Sequence, residues 1–224
     1  MEVQALIFDM DGTMIDSMPS HTQSWAAFAR RHGLDVDMLD LMRRTTGRTA
    51  VECMRALFET DLTDAQASAY AHQKEALYRE LFAPQFSEVA GFKAFAAQAQ
   101  ARGLPIGVGT AGDQHNIAFA YQHLQMAQKP RVTVGGDEGL PGKPDPAIFL
   151  EVARRLGVAP EHCIVFEDAP LGIEAARRAG MRAVGICSGH SAAELAGPHV
   201  LAHAPDYHAL TASQFLETYH VATS

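Results

Sequence analysis

With 224 residues, 47% of them hydrophobic and 20% charged, the chain has an ordinary globular composition and the length for one large domain or two modest ones. A formal charge of −8 argues against a nucleic-acid partner, which would call for a basic stripe, but leaves room for a small anionic substrate met by local cations or a metal. Cys53, Cys163 and Cys187 are scattered and form no CxxC pair, so they suggest neither a zinc site nor a disulfide framework, and no long apolar run or signal pattern points to a membrane; the expected setting is cytoplasmic.

Val3 to Phe8 is apolar apart from Gln4, which predicts a strand covered on both faces. It runs into Asp9-Met10-Asp11-Gly12-Thr13, where two acids share a face at a turn. One reading is a capped turn; the other is phosphoryl transfer, with one acid attacking while the other handles protons. From about Ser20 to Phe82 the apolar spacing is helical, carried by Trp25, Phe28 and Ala29, by Val51, Met54, Leu57 and Phe58, and by Ala69, His72, Ala76 and Tyr78. Beyond Pro84, helices around Gly91 to Arg102, Gln114 to Leu124, Asp145 to Leu156 and Gly172 to Ala179 alternate with strands at Leu104 to Gly109, Arg131 to Val134, Cys163 to Phe166 and Arg182 to Ile186. In the tail, Val200 to Ala202 suits an edge strand and Ala209 to Tyr219 a closing helix. His190, His199, His203 and His208 lack compact ligand spacing and read as surface or loop residues.

This order predicts an α/β fold, a Rossmann-like parallel sheet formed by residues 1–15 and 88–224, with a helical domain of residues 16–87 inserted after the first strand. An insertion there lies over the ligand-binding edge of an open sheet, as a lid would. Polar groups gather at that edge. Thr110, with the amides of Ala111 and Gly112 at a helix start, makes an anion cradle. Lys143 sits in the constrained turn Gly142-Lys143-Pro144-Asp145-Pro146, and Glu167-Asp168 follows a buried strand, where two adjacent acids call for a positive partner. Carboxylate ligands without thiolate or imidazole favour Mg²⁺.

These segments, with Phe166-Glu167-Asp168-Ala169-Pro170 and Gly172-Ile173 through Gly180-Met181, resemble the four ordered motifs of the haloacid dehalogenase superfamily. The helical insertion is similar to its small α-helical cap, and the branch resembled is that of β-phosphoglucomutases and sugar phosphatases. The resemblance implies Asp9 as nucleophile, Asp11 as acid and base, Thr110, Ala111, Gly112 and Lys143 on the phosphoryl group, and Mg²⁺ held by Asp9, the Asp11 carbonyl and Asp168 with Glu167 beside them. It also implies substrate selection by cap residues His21, Gly47, Arg48 and Lys74. Arg48 directly follows the loop glycine, while Ala50 stands where the mutases carry an arginine, and Thr13 replaces their usual valine. Both departures favour a Mg²⁺-dependent phosphatase of a small phosphorylated metabolite, a sugar or polyol phosphate, over a hexose phosphomutase. A phosphate-binding module without turnover is the distant alternative. Oligomeric state is open, with a monomer favoured.

Overall fold

The computed structural model describes residues 2–45, 48–58 and 61–219. The first strand, β1, is Ala5–Phe8, shorter at its start than the apolar run. Helices α1 (Met18–Arg31), α2 (Met38–Thr45), α3 (Ala50–Phe58) and α4 (Asp64–Phe82) follow, then α5 (Phe92–Ala101), β2 (Ile106–Gly109), α6 (Gln114–Leu124), β3 (Val132–Val134), α7 (Ala147–Leu156), β4 (Cys163–Glu167), α8 (Pro170–Arg178), β5 (Arg182–Ile186) and β6 (Val200–Ala204). The described strands form one parallel sheet in the order β3-β2-β1-β4-β5-β6.

Because strand side chains alternate in direction, β1 feeds two cores. Leu6 and Phe8 join Val108, Phe166, Phe92 of α5 and Tyr207 on one face; Ala5 and Ile7 join Val165 and the α7 residues Phe149 and Val152 on the other. Phe8 stacks on Phe166 with centroids 4.5 Å apart. Truncating Phe166 to Ala, directly beneath the polar edge, is expected to cost about 3–5 kcal/mol in a urea melt, through lost burial and the cavity left behind.

Helices α1 to α4 build a cluster of their own around Trp25, Phe28, Leu41, Met54, Leu57 and Ala71. A capping box at Thr63 and Gln66 starts α4. Of the residues predicted to face inward on α4, Tyr78 is buried but Ala69, His72 and Ala76 are exposed, and the buried face is made with Ala67, Ala71, Lys74, Glu75 and Phe82 instead. An adjacent Lys–Glu pair with its charge cancelled inside the molecule hides that face from an apolar pattern. Beside the sheet, the two segments joining these helices to the rest pair with each other, through Asp16 N to Ser87 O (3.0 Å) and Val89 N to Met14 O (3.1 Å).

The predicted closing helix is two short ones, α9 (Tyr207–Ala212) and α10 (Phe215–Thr218). Gln214 between them has φ of +54°, a left-handed conformation that breaks the helical path. No described helix is long and apolar enough to cross a membrane.

Candidate active site

The strand order reverses beside β1, since β1 pairs with β2 on one side and β4 on the other. Ligands of open α/β sheets settle outside the carboxyl ends of strands at such a switch. Here Asp9 follows β1, Thr110 follows β2, and Glu167 ends β4 with Asp168 next. A cleft of about 700 Å³ opens above them, lined by Asp9, Asp11, Thr110, Ala111, Gly112, Glu167 and Asp168 from the sheet edge and by His21, Arg48 and Lys74 from the inserted helices. Gly47, a predicted cap residue, lies outside the described residues.

Lys143 is buried beneath this floor and bridges two carboxylates, Asp9 Oδ1 at 2.5 Å and Glu167 Oε1 at 2.7 Å. Both carboxylates hold its ammonium above its ordinary pKa against the opposing effect of burial. The other Glu167 oxygen accepts the Ala169 amide (2.7 Å). That fold-back needs Gly172, because a Cβ there would lie 1.7 Å from Glu167 Oε1.

Asp168 is held on one side only: Thr13 Oγ1 donates to Oδ1 (3.2 Å), while the buried Oδ2 has no hydrogen-bond partner. Gly12, at φ +78°, admits that oxygen, since a Cβ would stand 2.3 Å from it. Three buried carboxylates, Asp9, Glu167 and Asp168, therefore share one ammonium. Burial, with Glu167 and Asp11 adding to it and Lys143 opposing, pushes Asp9 up to about 8; burial with Glu167 and Asp9 raises Asp168 well above its ordinary value. Surplus negative charge and an orphaned oxygen fit a hard divalent cation. Among the described residues no three acidic, imidazole or thiol side chains converge as a ready cage; the Glu167 and Asp11 side chains are largely spent on protein partners.

Asp11 faces the inserted helices. Its Oδ1 accepts from Ser17 Oγ (2.7 Å), His21 Nε2 (3.1 Å) and Tyr78 OH (3.2 Å). The Lys74 ammonium, donor only, lies 2.7 Å from His21 Nδ1, so Nδ1 accepts and the ring proton sits on Nε2, aimed at Asp11. Burial alone would raise Asp11, but His21 and Ser17, helped by Lys74, bring it down to about 2. Its Oδ2 faces Gly112. His21 also stacks on Tyr78, centroids 3.8 Å apart. Arg48 is exposed at the cleft wall.

In the loop after β2, the Gly112 amide donates to Thr110 Oγ1 (3.0 Å), which leaves the threonine O–H to point elsewhere. Ser17 and Tyr78 carry no sequence motif. Tyr78 lies one turn beyond Lys74 on α4, and that spacing alone could have drawn it to the site. Cys53 lines the cleft, but burial raises it, like Cys163 elsewhere in the fold, to about 12, leaving both as unreactive thiols.

Comparison with known proteins agrees with this architecture. The family model for haloacid dehalogenase-like hydrolases matches residues 3–180. Validoxylamine A 7'-phosphate phosphatase of Streptomyces hygroscopicus subsp. limoneus is 36% identical over 202 residues, covering 87% of this chain and 91% of that one. Fructose-1-phosphate phosphatase of Escherichia coli strain K12 is 33% identical over 181 residues, covering 81% of this chain and 95% of that one. The solved β-phosphoglucomutase of Clostridium difficile superposes with a TM-score of 0.84 at 24% identity over 97% of both chains, a likeness of fold. With the family match running from the first strand through the Asp168 loop and α8, the chain belongs to the haloacid dehalogenase-like hydrolases.

Proposed function

We propose that the protein is a Mg²⁺-dependent phosphomonoesterase acting on a small phosphorylated sugar or polyol. The observation that carries this reading is the pair of carboxylates on one turn: Asp9 fixed by Lys143 at 2.5 Å on the cleft floor, and Asp11 fixed through Oδ1 with Oδ2 toward the loop after β2. The phosphatases of S. hygroscopicus and E. coli support the same class of reaction.

Asp9 attacks phosphorus and forms an aspartyl phosphate, replacing one difficult displacement by two easier ones. Lys143 fixes the attacking oxygen and meets charge on the transferring group. Asp11, a carboxylate before substrate binds, relays through Oδ2 a proton that arrives on the phosphate ester to the leaving oxygen, and then as a base takes one from the attacking water, while Oδ1 stays locked by Ser17, His21 and Tyr78. Thr110 and the Ala111 amide orient the phosphoryl oxygens. Asp9, the Asp11 main-chain carbonyl and Asp168 would hold Mg²⁺, which, when bound, lowers the repulsion between carboxylate and phosphate. Residues 16–87 act as the cap that closes the cleft over the leaving group, excluding water from the first step.

The test is ³¹P NMR on a panel of sugar, polyol and short-acid phosphates with Mg²⁺. Release of inorganic phosphate supports the proposal. Conversion of a hexose 1-phosphate to its 6-phosphate with little free phosphate would make the protein a mutase, and no change in any ester would leave a binding module. On whichever esters are hydrolysed, Arg48→Ala is expected to raise KM about tenfold and to reorder the panel, from loss of a charged contact to the leaving group. An unchanged panel would place Arg48 outside substrate contact.

A further inference from the structure

A second group of buried polar side chains joins the inserted helices to the sheet domain on the wall of the same cleft, beside the loop after β2. Asn116, on the first turn of α6, is 4% exposed, and both ends of its carboxamide are engaged. Its Nδ2 donates to Glu75 Oε2 (2.7 Å) and its Oδ1 accepts from Arg79 Nη1 (2.6 Å), while its main-chain amide donates to the Asp113 carboxylate (2.9 Å). Glu75 and Arg79 are four residues apart on α4, so one face of that helix grips the amide from both sides. The other oxygen of Glu75 accepts from Lys74 (2.9 Å), and Lys74 leads through His21 to Asp11. Burial alone would raise Glu75, yet Lys74, His21 and Asn116 keep its carboxyl below its ordinary value, so the grip is charge-assisted. Buried polar networks that are fully satisfied hold one arrangement and become costly when half broken.

We propose that Asn116, gripped by Glu75 and Arg79, is a positioning residue that latches α4 onto the loop after β2 and so governs how fully the site is assembled around bound substrate. Helix α6 begins directly behind Thr110–Asp113, so the latch registers the inserted helices against the very loop that orients the phosphoryl group. Seating Glu75 also seats Lys74 and His21 behind Asp11. The kinetic consequence rests on the phosphatase reading above; the structural one does not. A latch acts on the equilibrium between open and closed forms, so weakening it lowers kcat/KM by one common factor for every substrate, whereas a residue touching the leaving group changes their ranking.

The experiment uses the full chain with Mg²⁺ and compares wild type, Asn116→Ala, Arg79→Met and the double variant. Asn116→Ala is expected to lower kcat/KM about 10- to 100-fold, equally across all esters turned over. Arg79→Met gives a smaller drop, and the double variant falls no further than Asn116→Ala, because Asn116→Ala already removes the one contact that Arg79→Met breaks together with the bond to Glu75. Amide hydrogen exchange, measured without substrate, is expected to quicken in α4 and the first turn of α6 of the Asn116→Ala protein. A kcat/KM within about threefold of wild type, with only a lower Tm, would reduce the contact to a stabilising one and overturn the proposal. A reordered panel would do so by putting Asn116 against the leaving group, and unchanged exchange by showing that α4 is held elsewhere. If the wild type hydrolyses nothing, the functional proposal fails, and the exchange comparison still decides the latch.

Discussion

Asp9→Asn is expected to abolish phosphate release, by on the order of 10⁴-fold or more, while leaving the protein at least as heat-stable as the wild type in Mg²⁺-free buffer at pH 7. The loss of rate follows because an amide oxygen is a poor nucleophile for phosphorus. The stability follows from the charge count on the cleft floor: Asp9, Glu167 and Asp168 share one ammonium, and the carboxamide that replaces the Asp9 carboxylate would still accept a hydrogen bond from Lys143 while relieving the repulsion. The sign is fixed by linkage. Asp9 is raised from 3.8 to about 8, so over that interval the native state holds more protons than the unfolded one and its stability falls as pH rises; the Asp9→Asn variant lacks this loss. Thermal melts from pH 5 to 8 should therefore bring the variant level with, or above, the wild type toward the alkaline end. Adding Mg²⁺ should raise Tm of the wild type more than that of the variant, because a ligand that binds only the native state stabilises it by mass action. Wild-type turnover by Asp9→Asn would remove the nucleophile assignment, and a large fall in its Tm would mean that Asp9 contributes more as the partner of Lys143 than it costs as a third buried anion.

The sheet is legible in the sequence because each buried strand runs into a polar residue: β1 into Asp9, β2 into Thr110 and β4 into Glu167-Asp168, all placed at one edge. Hydrophobic runs bounded by such residues report strand ends directly. The surroundings of Asp11 are less legible, since they come from three separate segments, Ser17 in a linker, His21 in α1 and Tyr78 in α4, brought together only by helix packing. The inward face of α4 escapes the apolar pattern for a sharper reason: Lys74 and Glu75 look like a solvated pair, and only the tertiary partners His21 and Asn116 make them an inward one. Asn116 itself gives no signal beyond a helix start. In the tail, the break at Gln214 falls within a stretch whose apolar residues Leu210, Phe215 and Leu216 all turn inward, so their pattern reads as one continuous helix.

Lys143→Met tests the same charge balance from its other side and should give the largest stability effect of any single change at the site. Methionine nearly preserves the side-chain volume beside Phe149, over whose ring the ammonium sits at 4.8 Å, so packing is little disturbed. What disappears is the cation bridging Asp9 and Glu167. Removing one partner of a buried ion pair costs about 3–5 kcal/mol, which for a chain of this length lowers Tm by about 6–20 °C. The deficit should depend on pH. Without Lys143 the carboxylates of the native state are still harder to ionise, so stability falls as pH rises through the interval in which unfolded carboxylates are charged and native ones protonated; the gap from wild type should be small near pH 5 and widen toward pH 8. Glu167→Gln placed on top of Lys143→Met should recover part of the lost Tm by removing one uncompensated anion, even though neither change restores catalysis. Turnover should fall about 10²- to 10³-fold in Lys143→Met, the scale of one oriented electrostatic donor. A deficit that stays constant with pH, or a double variant less stable than Lys143→Met alone, would mean that Lys143 acts through packing and hydrogen-bond geometry rather than by neutralising the carboxylates around Asp9.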